Sequence, residues 1–76
     1  MKKNGFFYYK IDVISRSHGY SFMVRSAEEI SDEDEIINRA NDANCFEDEE
    51  DLDKALVDSL IDDSDIKAFK DATTDI

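Results

Sequence analysis

Twenty of the 76 residues are Asp or Glu, and they arrive in groups. Asp32–Glu35 reads DEDE, Glu47–Asp51 reads EDEED with Asp53 close behind, and Asp62–Asp65 reads DDSD. Carboxylates grouped this way can hold a hard cation, share a proton as an acid–base pair, or present fixed negative charge to a basic surface. A calcium loop of the helix–loop–helix kind needs acids at alternate positions, a glycine at the sixth and a glutamate at the twelfth. Both glycines, Gly5 and Gly19, lie outside the acidic half. Acid–base pairs can be drawn freely among so many carboxylates, so such a drawing carries no weight. Cys45 and His18 are each the sole residue of their type. An internal disulfide and a Cys/His zinc site within one chain are therefore excluded. A lone cysteine is more often a small buried hydrophobe than a nucleophile, and Ser17-His18 makes a triad only on paper. The expectation is a protein without catalytic residues, metal or cofactor.

What remains is fixed charge. Residues 1–26 hold five bases and one acid, a net of +4, while residues 27–76 hold nineteen acids and four bases, a net of −15. The bland reading is a solvated surface that keeps a small protein soluble. The sharper reading is imitation of phosphate. Double-stranded DNA carries one charge per about 1.7 Å of axis, and a helix rises about 1.5 Å per residue. Clusters at helix ends can thus space a dozen charges over a DNA-like length, at the cost of self-repulsion in the free protein. The residues expected to meet Lys and Arg of a partner are Asp32, Glu33, Asp34, Glu47, Asp48, Glu49, Glu50 and Asp51.

The elements that must position these acids can be read from periodicity. Residues 6–14 (FFYYKIDVI) and 20–25 (YSFMVR) alternate and are rich in aromatic and β-branched types, which predicts a β-hairpin with a turn over 15–19. Ser31 is the expected cap of a first helix with acids in its first turn and Ile36, Ile37, Ala40 and Ala43 on its buried face. Asn41 and Asn44 are candidates to end it. Cys45-Phe46 is the expected connection, with Phe46 plugging the core between helices. A second helix is expected from Glu47, with Leu52, Ala55, Leu56, Ser59 and Leu60 recurring at three and four; a strand over 55–61 is the rival. Asp62-Asp63 stops it. Residues from Ser64 onward form a short helix through Ile66, Ala68 and Phe69 or a third strand over 66–72, with 71–76 frayed. The expected fold is one α+β domain over residues 1–76, a β-hairpin followed by two helices (ββαα).

A chain of this length buries only about 60–65% of its unfolded surface. The hydrophobic fraction of 41%, with eight aromatics, is nevertheless too high for a disordered acidic tail. The first apolar run is four residues long before Lys10, too short for an export signal, and no stretch approaches the about 18 apolar residues of a membrane span. These features suggest a cytoplasmic protein without membrane contact.

In size, charge and layout, with DEDE at 32–35, EDEED at 47–51 and DDSD at 62–65, the chain resembles the small acidic anti-defence proteins of bacteriophages. These are the anti-CRISPR proteins and the DNA mimics that block restriction enzymes. The resemblance implies an inhibitor that occupies the basic groove of a nucleic-acid-handling enzyme in a bacterial host and has no activity of its own. Direct nucleic-acid binding by Phe6, Tyr8, Lys10, Arg16 and Arg25 is the opposite possibility, and the net charge of −11 works against it. The alternative from a different class is a small assembly protein that forms a homodimer through its hairpin, its acidity serving solubility only.

Overall fold

A computed structural model describes residues 2–15 and 19–76. Its extents are 35 × 23 × 19 Å. The elements in chain order are β1 (Lys2–Lys3), β2 (Phe6–Val13), β3 (Tyr20–Ser26), α1 (Glu33–Asp42), a 3₁₀ turn (Glu49–Lys54), β4 (Ala55–Asp58), α2 (Asp63–Ala68) and β5 (Thr74–Asp75). The fold is α+β, as expected, but the order ββαα is not what forms.

The predicted hairpin is the centre of a five-stranded mixed sheet. β2 pairs antiparallel with β3 from Phe7↔Ser26 to Val13↔Tyr20. Its other edge is shared, with β1 at Phe6 and Phe7 and β4 at Lys10–Val13. β5 lies parallel to β3 at Val24 and Arg25. Arg16, Ser17 and His18 of the expected turn lie outside the described residues.

The strand β1 rests on Asn4-Gly5, whose φ values of 55° and 86° put both residues in the left-handed region. Two consecutive positive φ values are the requirement of a two-residue type I′ turn, and Asn-Gly is its preferred sequence.

Alternation on β2 sends side chains to two different cores. Tyr9, Ile11 and Val13 join Val24, Ile30, Ile36 and Ala40 on one face. Tyr8 joins Met23 and Ile61 on the other, with Phe6, Ile66 and Phe69 at its margin. A three-layer arrangement results, with α1 on one face of the sheet and α2 on the opposite one.

The second helix expected from Glu47 is replaced by the 3₁₀ turn and β4, so the rival strand reading holds over Ala55–Asp58, although not on to Ile61. Lys10–Val13 of β2 have backbone groups on an edge that β1 does not reach, and such groups need partners. β4 supplies them, with Val57 opposite Ile11 and Ala55 opposite Val13. Leu56 and Leu60, which a helix would bury, are 57% and 93% exposed. The C-terminal segment is also corrected. It is neither frayed nor a strand over 66–72: β5 is paired, the Ile76 N–H donates to the Arg25 carbonyl at 2.8 Å, and Ile76 packs on the first core.

Helix ends follow local chemistry. α1 is capped by Asp32, one residue later than the expected Ser31, with its carboxylate accepting from the Asp34 N–H. Its C-terminus closes as a Schellman motif: Asn44 at φ 60°, Asn44 N–H to the Asn41 carbonyl and Cys45 N–H to the Ala40 carbonyl. Ala43 is the exposed C-cap, not a core residue. The cap of α2 is Asp62, not Ser64, in a reciprocal capping box with Asp65.

Candidate functional site

Residues 27–54 carry thirteen of the twenty acids and only two bases, Arg39 and Lys54. Their net charge of −11 equals that of the whole chain, so the remaining residues balance to zero. This segment is also the roof over one face of the sheet. Ile30, Ile36, Ala40, Cys45 and Phe46 point into the core with Tyr9, Ile11 and Val24. The carboxylates other than Asp51 are what is left on the outside. Burying the apolar stripe of an acidic segment thus sorts the charge onto one side of the molecule.

Two tyrosines anchor this roof. The buried Tyr9 hydroxyl accepts from the Ile30 N–H at 2.9 Å, which ties the approach to α1 down onto β2. At the far end of β3, the Tyr20 hydroxyl donates to Asp51 Oδ2 at 2.7 Å and accepts from the Glu47 N–H at 3.0 Å. Burial, followed by the hydrogen bond to Asp51, raises the Tyr20 pKa above the usual phenol range. Phe46 packs edge-to-face on Phe22 with ring centroids 5.1 Å apart, so it fills a gap against the sheet and not between helices.

The eight acids predicted to meet a partner fall into two groups at opposite ends of this roof. Asp32, Glu33 and Asp34 are exposed at the start of α1, where Glu33 and Phe7 line one cavity of about 400 Å³. Glu47–Glu50 are exposed beside Tyr20. Phe7 and the Val13–Tyr20 pair are six residues apart on β2, which is roughly 20 Å at strand rise. The groups are thus separated, not gathered into one pocket. Asp32 and Asp48 also serve as caps, accepting from Asp34 and Glu50 N–H. Asp51 differs from the other seven: it is 8% exposed and bound to Tyr20. Its role is to hold the acidic turn on the sheet, which leaves seven acids able to touch a partner.

Charge inside the roof is partly managed. Arg39 reaches Glu28 at 2.9 Å and Glu35 at 3.0 Å, and its hydrogen bonds to Glu35 and then Glu28 raise its pKa further. The acids at 32–34 and 48–50 take no part in the ion pairs formed among the described residues.

The opposite face has another character. The third acidic group, Asp62–Asp65, is there and is used locally, in the capping box and in an ion pair between Asp63 and Lys3 at 3.1 Å. Arg25 stacks over the Phe6 ring at 4.3 Å and pairs with Asp75. The hydrogen bond from Arg25 holds the Asp75 carboxyl below its usual range. Tyr8 is only 5% exposed and Phe6 is half-buried at the margin of the same core.

Cys45 is free and half-buried against the first core, and its possible partner His18 lies outside the described residues. Among the described residues, no three His, Cys, Asp or Glu side chains are grouped to hold a metal ion, and no helix is long and apolar enough to cross a membrane. The sequence reading missed Tyr9 and Tyr20 as anchors, because a tyrosine in an alternating strand gives no sign of where its hydroxyl will bond. It also missed β1, although Asn4-Gly5 is a strong local hairpin signal. Comparison with protein-family models, with curated proteins and with solved structures found no match.

Proposed function

We propose that this chain is a non-enzymatic, protein-binding inhibitor whose acidic roof imitates the phosphates of a nucleic acid. Its target is the basic groove of a nucleic-acid-handling enzyme, as in a phage product directed against a host defence nuclease. One observation carries the reading: residues 27–54 hold the full net charge of −11 and cover one face of the sheet. The exposed acids stand in two groups roughly 20 Å apart along the strands, a spacing that suits two rows of cations flanking a groove. The roof is fastened through Tyr9 and Tyr20, so the charges are presented without a large ordering cost on binding.

The test is capture from a bacterial lysate at low and high salt, followed by mass spectrometry. Wild-type chain and the variant with Glu33, Asp34, Glu47, Glu49 and Glu50 all replaced by Gln are compared. Retention of a nucleic-acid enzyme at low salt, its release by salt or DNA, and its loss in the variant support the proposal. Equal capture by the variant, or no such enzyme at all, overturns it.

A second reading, self-assembly, is favoured by Ile14, Leu56 and Leu60, which are 63%, 57% and 93% exposed. The β2 edge of the hairpin is covered by β1 and β4, whereas β5 pairs with its β3 edge at Val24 and Arg25 only. A further edge is offered by β4, which pairs with β2. Sedimentation separates the readings: a salt-insensitive dimer that Leu56→Ser dissolves would make acidity a matter of solubility alone.

A further inference from the structure

The face away from the acidic roof contains a cleft of about 410 Å³ lined by Lys3, Arg25, Lys67 and Lys70, together with Tyr8 and Thr73. No carboxylate lines it, although acids outnumber bases by twenty to nine in the chain. Its walls come from β1, β2, β3, α2 and the segment before β5, so the four cations converge through tertiary structure and not through a run in the sequence. Lys3 is neutralised by Asp63 and Arg25 by Asp75 from outside the lining. Lys67 and Lys70, three residues apart at the end of α2, have no ion-pair partner among the described residues. Two of the four lining cations are thus paired with carboxylates, and Lys67 and Lys70 are the other two.

A bland account exists for Lys67, since a cation in the last helical turn favours the helix dipole. It does not explain Lys70, which lies beyond the helix, nor the exclusion of acids from the lining. The size is that of a small-molecule site. The roof's negative charge is on the other side of the sheet, and exposed charges farther apart than a Debye length of about 8 Å at physiological salt are largely screened from each other.

We infer that this cleft binds the dianionic phosphate group of a small molecule, with Lys67 and Lys70 as its charge partners and Arg25 and Tyr8 as its floor. The site is separate from the acidic roof and does not depend on the function proposed for it.

The experiment is an amide-resolved NMR titration of the full chain with AMP, inorganic phosphate and adenosine, at ionic strength held constant with sodium chloride. Saturable shifts at Arg25, Lys67, Lys70 and Thr73 with AMP are expected, and none with adenosine. Inorganic phosphate binding as tightly as AMP identifies the free ion as sufficient; tighter AMP identifies a phosphate monoester. Affinity for AMP should fall at least five-fold in the double variant Lys67→Gln, Lys70→Gln, and should survive both Lys67→Arg, Lys70→Arg and the distant Lys54→Gln. It should also weaken from pH 7.5 to pH 5.5, as a phosphate monoester with a second pKa of about 6 takes up a proton. Shifts that chloride reproduces, adenosine binding equal to AMP, or full affinity in the Gln variant would overturn the assignment.

Discussion

The two faces of the sheet are each roofed by a helix, but the roofs are made differently. The α1 side buries seven residues in one continuous cluster and is pinned by Tyr9 and Tyr20. The α2 side buries three, beneath a helix of six residues none of which is itself buried. On the first side the apolar face of an acidic segment is large enough to hold many like charges together against their repulsion. On the second side acids and bases pair across short distances and a shallow core suffices. A chain of 76 residues can concentrate charge only where it has enough apolar area to offset the cost.

Substitutions that open each core give the largest effects. Ile36→Ala, at 2% exposure, should cost about 3–4 kcal/mol, and Ile61→Ala, at 7%, about 2 kcal/mol. Urea midpoints measure both. Equal costs would mean that the α2 side is as tightly packed as the α1 side. Hydrogen exchange should likewise show α2 amides opening at lower free energy than α1 amides, since local stability follows buried contact.

Next come the anchors. Tyr20→Phe leaves the buried Asp51 carboxylate without its donor and should cost about 1–2 kcal/mol. The raised Tyr20 pKa fixes a sign. The folded state holds the phenol proton more tightly than the unfolded state, so this contribution is complete below about pH 10 and is lost as pH rises through the folded value. In a phenolate absorbance titration, Tyr20→Phe should remove a component that titrates above the ordinary phenol range. Asp62→Ala removes the reciprocal box of α2 and should cost about 1 kcal/mol; if it loosens α1 amides as well, the two roofs are coupled.

The smallest effect is expected from Arg39→Ala. Its ion pairs with Glu28 and Glu35 are exposed, and their loss should move the urea midpoint only slightly, less so as salt is raised. A larger shift would mean that relief of acid–acid repulsion is a main support of α1.

Much of this was legible because it is local. Alternation at 6–13 and 20–25 specified the hairpin, and the apolar spacing of Ile36 and Ala40 beneath a carboxylate-rich first turn specified α1. Asn44 announced the helix end. The misread strands share one cause. Leu52, Ala55, Leu56, Ser59 and Leu60 satisfy a helical period, yet Ala55–Asp58 forms a strand because β2 offered an unfilled edge, and a vacant edge exists only once β2 has been placed between its neighbours. Thr74–Ile76 has no pattern of its own and is ordered by β3. The cap of α1 shifted by one residue because Ser31 and Asp32 are both good caps and local chemistry does not choose between them.

By itself, the sequence determined the amount of charge, its clustering, and the absence of a disulfide or a Cys/His metal centre within one chain, since these are counts. It also determined which strands and which first helix could exist, since these are short-range periodicities. Only the tertiary structure decided that residues 27–54 lie on one face while Lys3, Arg25, Lys67 and Lys70 meet on the other. Which charges become neighbours depends on which apolar side chains share a core, and that is a property of the whole chain packed at once.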